Sequence, residues 1–113
     1  MRDWSRNGSL VRLKVLRLHP SEWLTEEDVF DALLTALQAP KWHAKDVDAL
    51  WESITDNKTN GVRTPFRVVI VTRGPLPYEV ENCVARLDNL FYELNSNSVD
   101  VEFSIRRATD STP

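Results

Sequence analysis

The chain has 113 residues, of which 42% are hydrophobic and 27% charged, and its formal net charge is −3 at neutral pH. These values are typical of one soluble globular domain, which at this length buries roughly two-thirds of its unfolded surface. Arg12, Lys14 and Arg17 interrupt the apolar segment SLVRLKVLRL, which excludes a signal peptide or a membrane span there. The single Cys83 cannot form an internal disulfide, so we expect a cytoplasmic protein in which Cys83 is a small core residue.

The N-terminal third of the chain predicts a strand and then a helix. Residues 10–18, LVRLKVLRL, alternate with a period of two, which is typical of a strand with one buried face. The residues that this pattern places on the buried face are Val11, Leu13 and Val15. Thr25 followed by Asp28 resembles a capping box, and apolar residues then recur at helical spacing until Pro40.

The remaining elements alternate between helix and strand. Residues 42–55 predict a second helix, and a polar, turn-rich loop extends from there to Pro65. FRVVIVT, residues 66–72, is nearly continuous in apolar residues, as a central strand would be. A long helix follows Pro77. Its predicted buried residues are Val80, Val84, Leu87, Phe91 and Leu94. The segment VDVEFSIRR then alternates again and predicts the last strand.

Strands separated by helices favour parallel pairing through right-handed crossovers. The predicted class is therefore α/β, with about three strands and the helices on one side of the sheet. We expect one domain over residues 10–107, with flexible tails at residues 1–9 and 108–113.

The acidic residues are concentrated in the predicted helices. Segments 25–38, 41–56 and 76–94 hold 12 of the 17 acidic residues but only 3 of the 14 basic ones, which gives these segments a net charge of −9 and the rest of the chain +6. The preference of acids for the first turn of a helix explains those at residues 26–28. It does not explain Asp48, Glu52 and Glu93, which lie in the middle or at the end of a helix.

One face of the second helix combines acids with an aromatic residue. At about 100° per residue, Asp48, Trp51, Glu52 and Thr55 fall within a band of roughly 100°, opposite an apolar stripe. The stripe consists of Val47, Leu50 and Ile54. Two interpretations are open at this point: a solvated polar face whose indole covers the edge of the core, or a docking surface. The residue types alone favour the solvated face for the two acids and leave Trp51 undecided.

Residues 39–55, APKWHAKDVDALWESIT, resemble the barstar family of intracellular ribonuclease inhibitors. The family has here a proline, an aromatic pair, a short polar stretch and an Asp-Ala-Leu-Trp-acid run. The segment LFYELNSNSVDVEFSI is similar to its last helix and strand, so most of residues 10–106 is covered. The resemblance implies a two-layer fold with a three-stranded parallel sheet in sequential order. It also implies that the residues contacting a ribonuclease are Trp42, Asp48, Trp51, Glu52, Thr55 and Glu93.

The chain departs from the family pattern at several positions. Glu52 stands where the family has an aspartate, and Asp56 and Asn57 replace a glycine and an aromatic residue. His43 occupies the place of a second aromatic and is interpreted as a helix-start residue, because no other His or Cys lies at metal-ligand spacing. The loop up to Pro65 is also longer. These departures leave an inhibitory role as the expectation and the identity of the target open.

The predicted function is inhibition of a bacterial, secreted, guanyl-specific type of ribonuclease by an acidic helix face that mimics RNA phosphate. The alternative is an acidic module for a different basic toxin or protein. Catalysis is not expected, because two carboxylates on an exposed helix lack the burial that general acid catalysis requires. Nor do we expect a cofactor, a metal, a membrane or a nucleic-acid partner, since acidic helices repel phosphate. A monomer that binds one enzyme is the default expectation.

Overall fold

The computed structural model describes residues 13–107, which form a single three-stranded sheet and three helices. The elements are β1 (Lys14–Leu18), α1 (Glu26–Ala36), α2 (Val47–Asp56), β2 (Phe66–Thr72), α3 (Tyr78–Ser96) and β3 (Val101–Arg107). All strands are parallel and run in the order β1-β2-β3. This arrangement confirms the predicted α/β class and its sequential sheet. The predicted tails, and residues 10–12 of the first strand, lie outside the described residues.

The core lies between the helices and one face of the sheet. Phe66, Val68 and Ile70 alternate along β2 and join the same apolar cluster as the helices. The five residues predicted to be buried in α3 are all at most 2% exposed. Phe91 of α3 meets the ring of Phe66 edge to face, with centroids 6.2 Å apart. The helices therefore cover one side of the sheet, as predicted.

The face of β1 that is buried is opposite to the face that the sequence predicted. Leu13 and Val15 are 45% and 38% exposed, whereas Leu16 and Leu18 pack with the core. Leu16 lies opposite Val68 of β2, which fixes its side chain on the helix-covered face. The prediction was wrong because LVRLKVLRL carries apolar residues in both phases of a period of two, and only the pairing with β2 distinguishes them.

The second helix starts later than predicted, at Val47. Asp46 has an extended backbone, and its carboxylate accepts a hydrogen bond from the N–H of Ala49 at 2.7 Å. A side-chain acceptor at this place satisfies a free N–H of the first helical turn and ends the preceding loop. Trp42 and His43 therefore lie in the loop before α2, and the interpretation of His43 as a helix-start residue was wrong.

A reciprocal capping box begins α1, as predicted. The Thr25 hydroxyl accepts from the N–H of Asp28 at 3.2 Å, and the Asp28 carboxylate accepts from the N–H groups of Leu24 and Thr25 at 2.8 and 3.0 Å. These backbone bonds, that from Leu24 first, lower the pKa of Asp28 below its usual 3.8. The charged form of this carboxylate is thus stabilised by folding.

We predict that Asp28→Asn lowers the melting temperature at neutral pH, because the amide keeps an acceptor oxygen but loses the charge. The contribution of a carboxylate with a lowered pKa is complete above the unfolded value of 3.8 and is lost as the pH falls through the folded value. The difference between wild type and variant should therefore shrink below that pH. Thermal unfolding at a series of acidic pH values measures this difference in melting temperature, and Asp88→Asn, at an exposed position, is the control. A constant difference would contradict the assignment.

Candidate protein-docking site

Helix α2 forms a ridge with one buried and one exposed side. Leu50 and Ile54 are 0% and 2% exposed, which confirms the predicted apolar stripe. Asp48, Glu52 and Thr55 are exposed on the other side. Trp51 is half-buried and packs against the core cluster. The indole therefore covers the edge of the core, as the first interpretation predicted, and the docking interpretation of its exposed part stays a prediction.

A groove between α2 and α3 contains three of the predicted contact residues. This α2–α3 groove has a volume of about 770 Å³, and its lining includes Asp48 and Trp51 from α2 and Glu93 from α3. Val47 and Leu90 contribute apolar surface to it. Two carboxylates from different helices thus share a partly apolar cavity with an indole.

The one basic residue among the three helices also lines this groove. Arg86 of α3 places its Nη2 2.8 Å from Oε1 of Glu26 in α1. The hydrogen bond with Glu26 raises the pKa of Arg86, so its charge is fixed and is compensated by α1. The carboxylates of Asp48 and Glu93 therefore keep the groove acidic.

A second depression lies on the other flank of α2. This Trp42 hollow has a volume of about 240 Å³, and its lining includes Trp42, Glu52, His43 and Ser53. Trp42 is 77% exposed, whereas His43 and Ser53 are buried. Thr55 lines neither depression. The structure thus divides the six predicted residues into one group of three, one pair and one residue on the ridge.

The residues that follow Thr55 organise the long loop after α2. The Asp56 carboxylate accepts from the N–H groups of Lys58 and Thr59 and from the Thr59 hydroxyl, at 2.7, 3.1 and 2.9 Å. These bonds, that from Lys58 first, lower the pKa of Asp56. Asn57 caps α2 in the left-handed region, with φ 57°, and its side-chain oxygen accepts from the N–H of Thr64 at 2.9 Å. Both departures from the family pattern therefore stabilise the loop.

Three buried polar residues were missed as members of the site. His43, Ser53 and Asn60 are 6%, 4% and 4% exposed and are joined by hydrogen bonds. Ser53 carried a signal in the sequence, because its position three residues after Leu50 and next to Ile54 places a hydroxyl on the buried side of α2. His43 and Asn60 carried none, since both lie in loops.

Neither a metal centre nor an activated thiol is present in the described part of the chain. No group of three or more His, Cys, Asp or Glu side chains within residues 13–107 is arranged to hold a metal ion. No helix among these residues is long and apolar enough to cross a membrane. Burial raises the pKa of Cys83 to about 11, so this thiol stays protonated at neutral pH. Cys83 is a core residue, as predicted.

The helices cover one face of a parallel three-stranded sheet, and the result is a small α/β domain whose α2 exposes acids between two depressions that each contain an indole. The model of one family, barstar (barnase inhibitor), matches residues 13–107, the whole described part of the chain. The chain therefore belongs to the barstar family. A comparison with curated proteins found no match. Family membership implies a role like that of a ribonuclease inhibitor, since members of this family are inhibitors and not enzymes.

Substitutions of Asn57 can separate the effect of its hydrogen bond to Thr64 from the effect of its left-handed backbone. Asn57→Gly removes the Cβ that strains the left-handed backbone but loses the bond to Thr64, whereas Asn57→Ala loses the bond and keeps the Cβ without the local hydrogen bonding that lets asparagine tolerate this conformation. We expect the free energy of unfolding to fall in both variants, and by roughly 1 kcal/mol more in the alanine variant. Urea unfolding measures the free energy of unfolding of each variant and so gives their order of stability. An alanine variant as stable as the glycine variant would show that backbone strain is not important here.

Proposed function

We propose that this chain inhibits a secreted bacterial ribonuclease of the guanyl-specific type by covering its active site with the exposed face of α2. The observation that carries the proposal is the exposed ridge with Asp48 and Glu52, flanked by two depressions that each contain a tryptophan. An enzyme that cleaves RNA needs cations in its active site to stabilise charge on the phosphate. Carboxylates on a helix can take the place of that phosphate.

The α2–α3 groove suits a cationic side chain of the target. A guanidinium can donate hydrogen bonds to two carboxylates at the same time, and its plane can stack on the face of an indole. Asp48, Trp51 and Glu93 provide these three partners within one cavity. In the proposed complex an arginine of the ribonuclease occupies this groove, while Glu52 and Trp42 contact the target from the other flank of α2.

The site stands on elements that are folded before binding. Asp48, Trp51, Glu52 and Thr55 belong to α2, whose opposite side is buried in the core. A preformed surface loses little conformational entropy on binding, so more of the interaction energy appears as affinity. Acidic helices also attract a basic enzyme over a distance and increase the rate of encounter. An inhibitor that protects its own cytoplasm benefits from both properties, and a one-to-one complex is sufficient.

The experiment is an inhibition assay against a panel of basic bacterial ribonucleases that includes barnase. RNA cleavage is measured at increasing ratios of this chain to enzyme. The proposal predicts complete inhibition of at least one member, with an endpoint at one chain per enzyme. Undiminished cleavage by every member in the presence of excess chain would overturn it.

Replacing both Asp48 and Glu52 by alanine should abolish this inhibition and leave folding intact, because both side chains project away from the buried stripe. We expect each to contribute about 2 kcal/mol or more to binding. Circular dichroism and thermal unfolding check the fold, and inhibition constants check the site. The control is Glu81→Ala with Asp88→Ala, which removes the same charge from exposed positions of α3. Equal losses in both double variants would indicate that only total charge matters.

Glu52→Asp tests whether the hydrogen-bond donors of the target are placed for the length of a glutamate side chain. The shorter side chain keeps the charge but holds it away from its donors, which lengthens charge-assisted hydrogen bonds that favour about 2.7–2.9 Å. Against the cognate ribonuclease we expect a loss of roughly 1–3 kcal/mol, seen mainly as faster dissociation. Against an enzyme normally bound through aspartate, the change should be neutral or favourable. If aspartate binds both enzymes equally well or better, Glu52 does not reflect target matching.

A further inference from the structure

The loop before α2 has a single buried side chain. In this docking loop, Pro40–Asp46, His43 is 6% exposed while its neighbour Trp42 is 77% exposed. The other five residues are exposed or half-buried. His43 is therefore the one side chain of this loop that is packed into the interior of the protein.

Hydrogen bonds fix both ring nitrogens of His43. Nδ1 lies 2.7 Å from the carbonyl oxygen of Ala44, and because a carbonyl only accepts, Nδ1 carries a proton. In the neutral ring Nε2 is then an acceptor, and it lies 2.8 Å from the Ser53 hydroxyl, whose one proton it shares with the more distant carbonyl oxygen of Leu50, at 3.2 Å. The same hydroxyl oxygen accepts from Nδ2 of Asn60 at 3.1 Å. The three side chains form a continuous hydrogen-bonded relay, and two of them, His43 and Ser53, line the Trp42 hollow.

The relay joins the docking loop to α2 and to the loop that follows α2. That second loop is itself fixed to the end of α1, where the N–H groups of Gly61 and Val62 donate to the carbonyls of Gln38 and Leu37, both at 2.9 Å. Gly61 permits this close approach, because a Cβ there would lie 2.7 Å from Cβ of Gln38. Asn60, the last residue of the relay, is therefore held close to the end of α1 by the backbone hydrogen bonds of the two residues that follow it.

A second anchor of the docking loop is weaker. Nζ of Lys45 lies 2.9 Å from Glu27 and 2.8 Å from Asp31 of α1, but these groups are exposed, and exposed ion pairs contribute little in water. Breaking the buried relay instead leaves polar groups without partners inside the protein. Oδ1 of Asn60 has no partner even in the intact network, and the only other acceptor within reach of the Ser53 hydroxyl among the described residues is the carbonyl oxygen of Leu50, at 3.2 Å.

We propose that His43 is a positioning residue that, through Ser53 and Asn60, fixes Trp42 relative to Glu52 before a partner binds. The effect on binding rests on the proposed function, whereas the effect on the loop is a property of the free chain. A phenyl ring at this position would fill a similar volume but would present no acceptor to Ser53.

The first experiment measures backbone amide order parameters of the free protein by NMR. His43→Phe and Ser53→Ala should both lower the order parameters of residues 40–46, because each interrupts the relay. Ser53→Ala removes only one oxygen atom and provides the test if the phenylalanine variant fails to fold. The control is Thr72→Val, which also loses a buried hydrogen bond, from its hydroxyl to Gly74, in another part of the fold. Unchanged order parameters in the docking loop would overturn the proposal.

The second experiment is a double-mutant cycle on the ribonuclease of the panel that is inhibited most strongly. Trp42→Ala raises the dissociation constant by some factor in the wild-type background. In the Ser53→Ala background this factor should be smaller by about threefold or more, because the indole is no longer held in place there. Glu93→Gln, in the α2–α3 groove, should weaken binding by the same factor in both backgrounds. Equal losses for Trp42→Ala would contradict positioning. If no ribonuclease is inhibited, the proposed function fails, and the NMR experiment still decides the role of His43.

Discussion

The packing of Leu50 and Ile54 into the core is the contact on which the site depends. A helix places successive residues about 100° apart, so burying one stripe determines which residues face solvent. With these two side chains at most 2% exposed, Asp48 and Glu52 have to project outward. A shift of one residue in this packing would rotate both acids by about 100° around the helix axis. The face of α2 that we propose for docking is therefore specified by apolar contacts on its opposite side.

The two layers of the fold also differ in charge. Within the described elements the three helices carry eleven acidic residues and one basic residue, whereas the strands carry five basic residues and one acidic. Repulsion within the helix layer is reduced at its edges, where Lys45 bridges two acids of α1 and Arg86 pairs with Glu26. Both of these bases form their ion pairs with acids of α1 rather than with Asp48 or Glu52 of α2. The core supplies the stability that such a one-sided charge distribution lowers.

Periodicity in the sequence was sufficient for the fold class, the central β2 and the buried side of α3, since each depends on a strong local pattern. It failed where tertiary contacts decide. The phase of β1 is set by pairing with β2, and the start of α2 is set by the Asp46 cap. The exposed acids were found because the charge distribution and the family resemblance agreed. The relay through His43 was not found, because burial of a loop residue depends on segments that are distant in sequence.

The departures from the family pattern fall into two physical kinds. Asp56, Asn57 and His43 make hydrogen bonds to backbone or buried groups, so they shape the loops on either side of α2. Glu52 and Asp56 are both exposed on α2, but the Asp56 carboxylate is occupied by hydrogen bonds from the loop, whereas Glu52 projects into solvent. Loops that are stiffened by their own side chains can change the outline of a docking surface while its central helix stays in place. Selectivity within this fold can therefore change at the flanks of α2 without altering the packing that orients it.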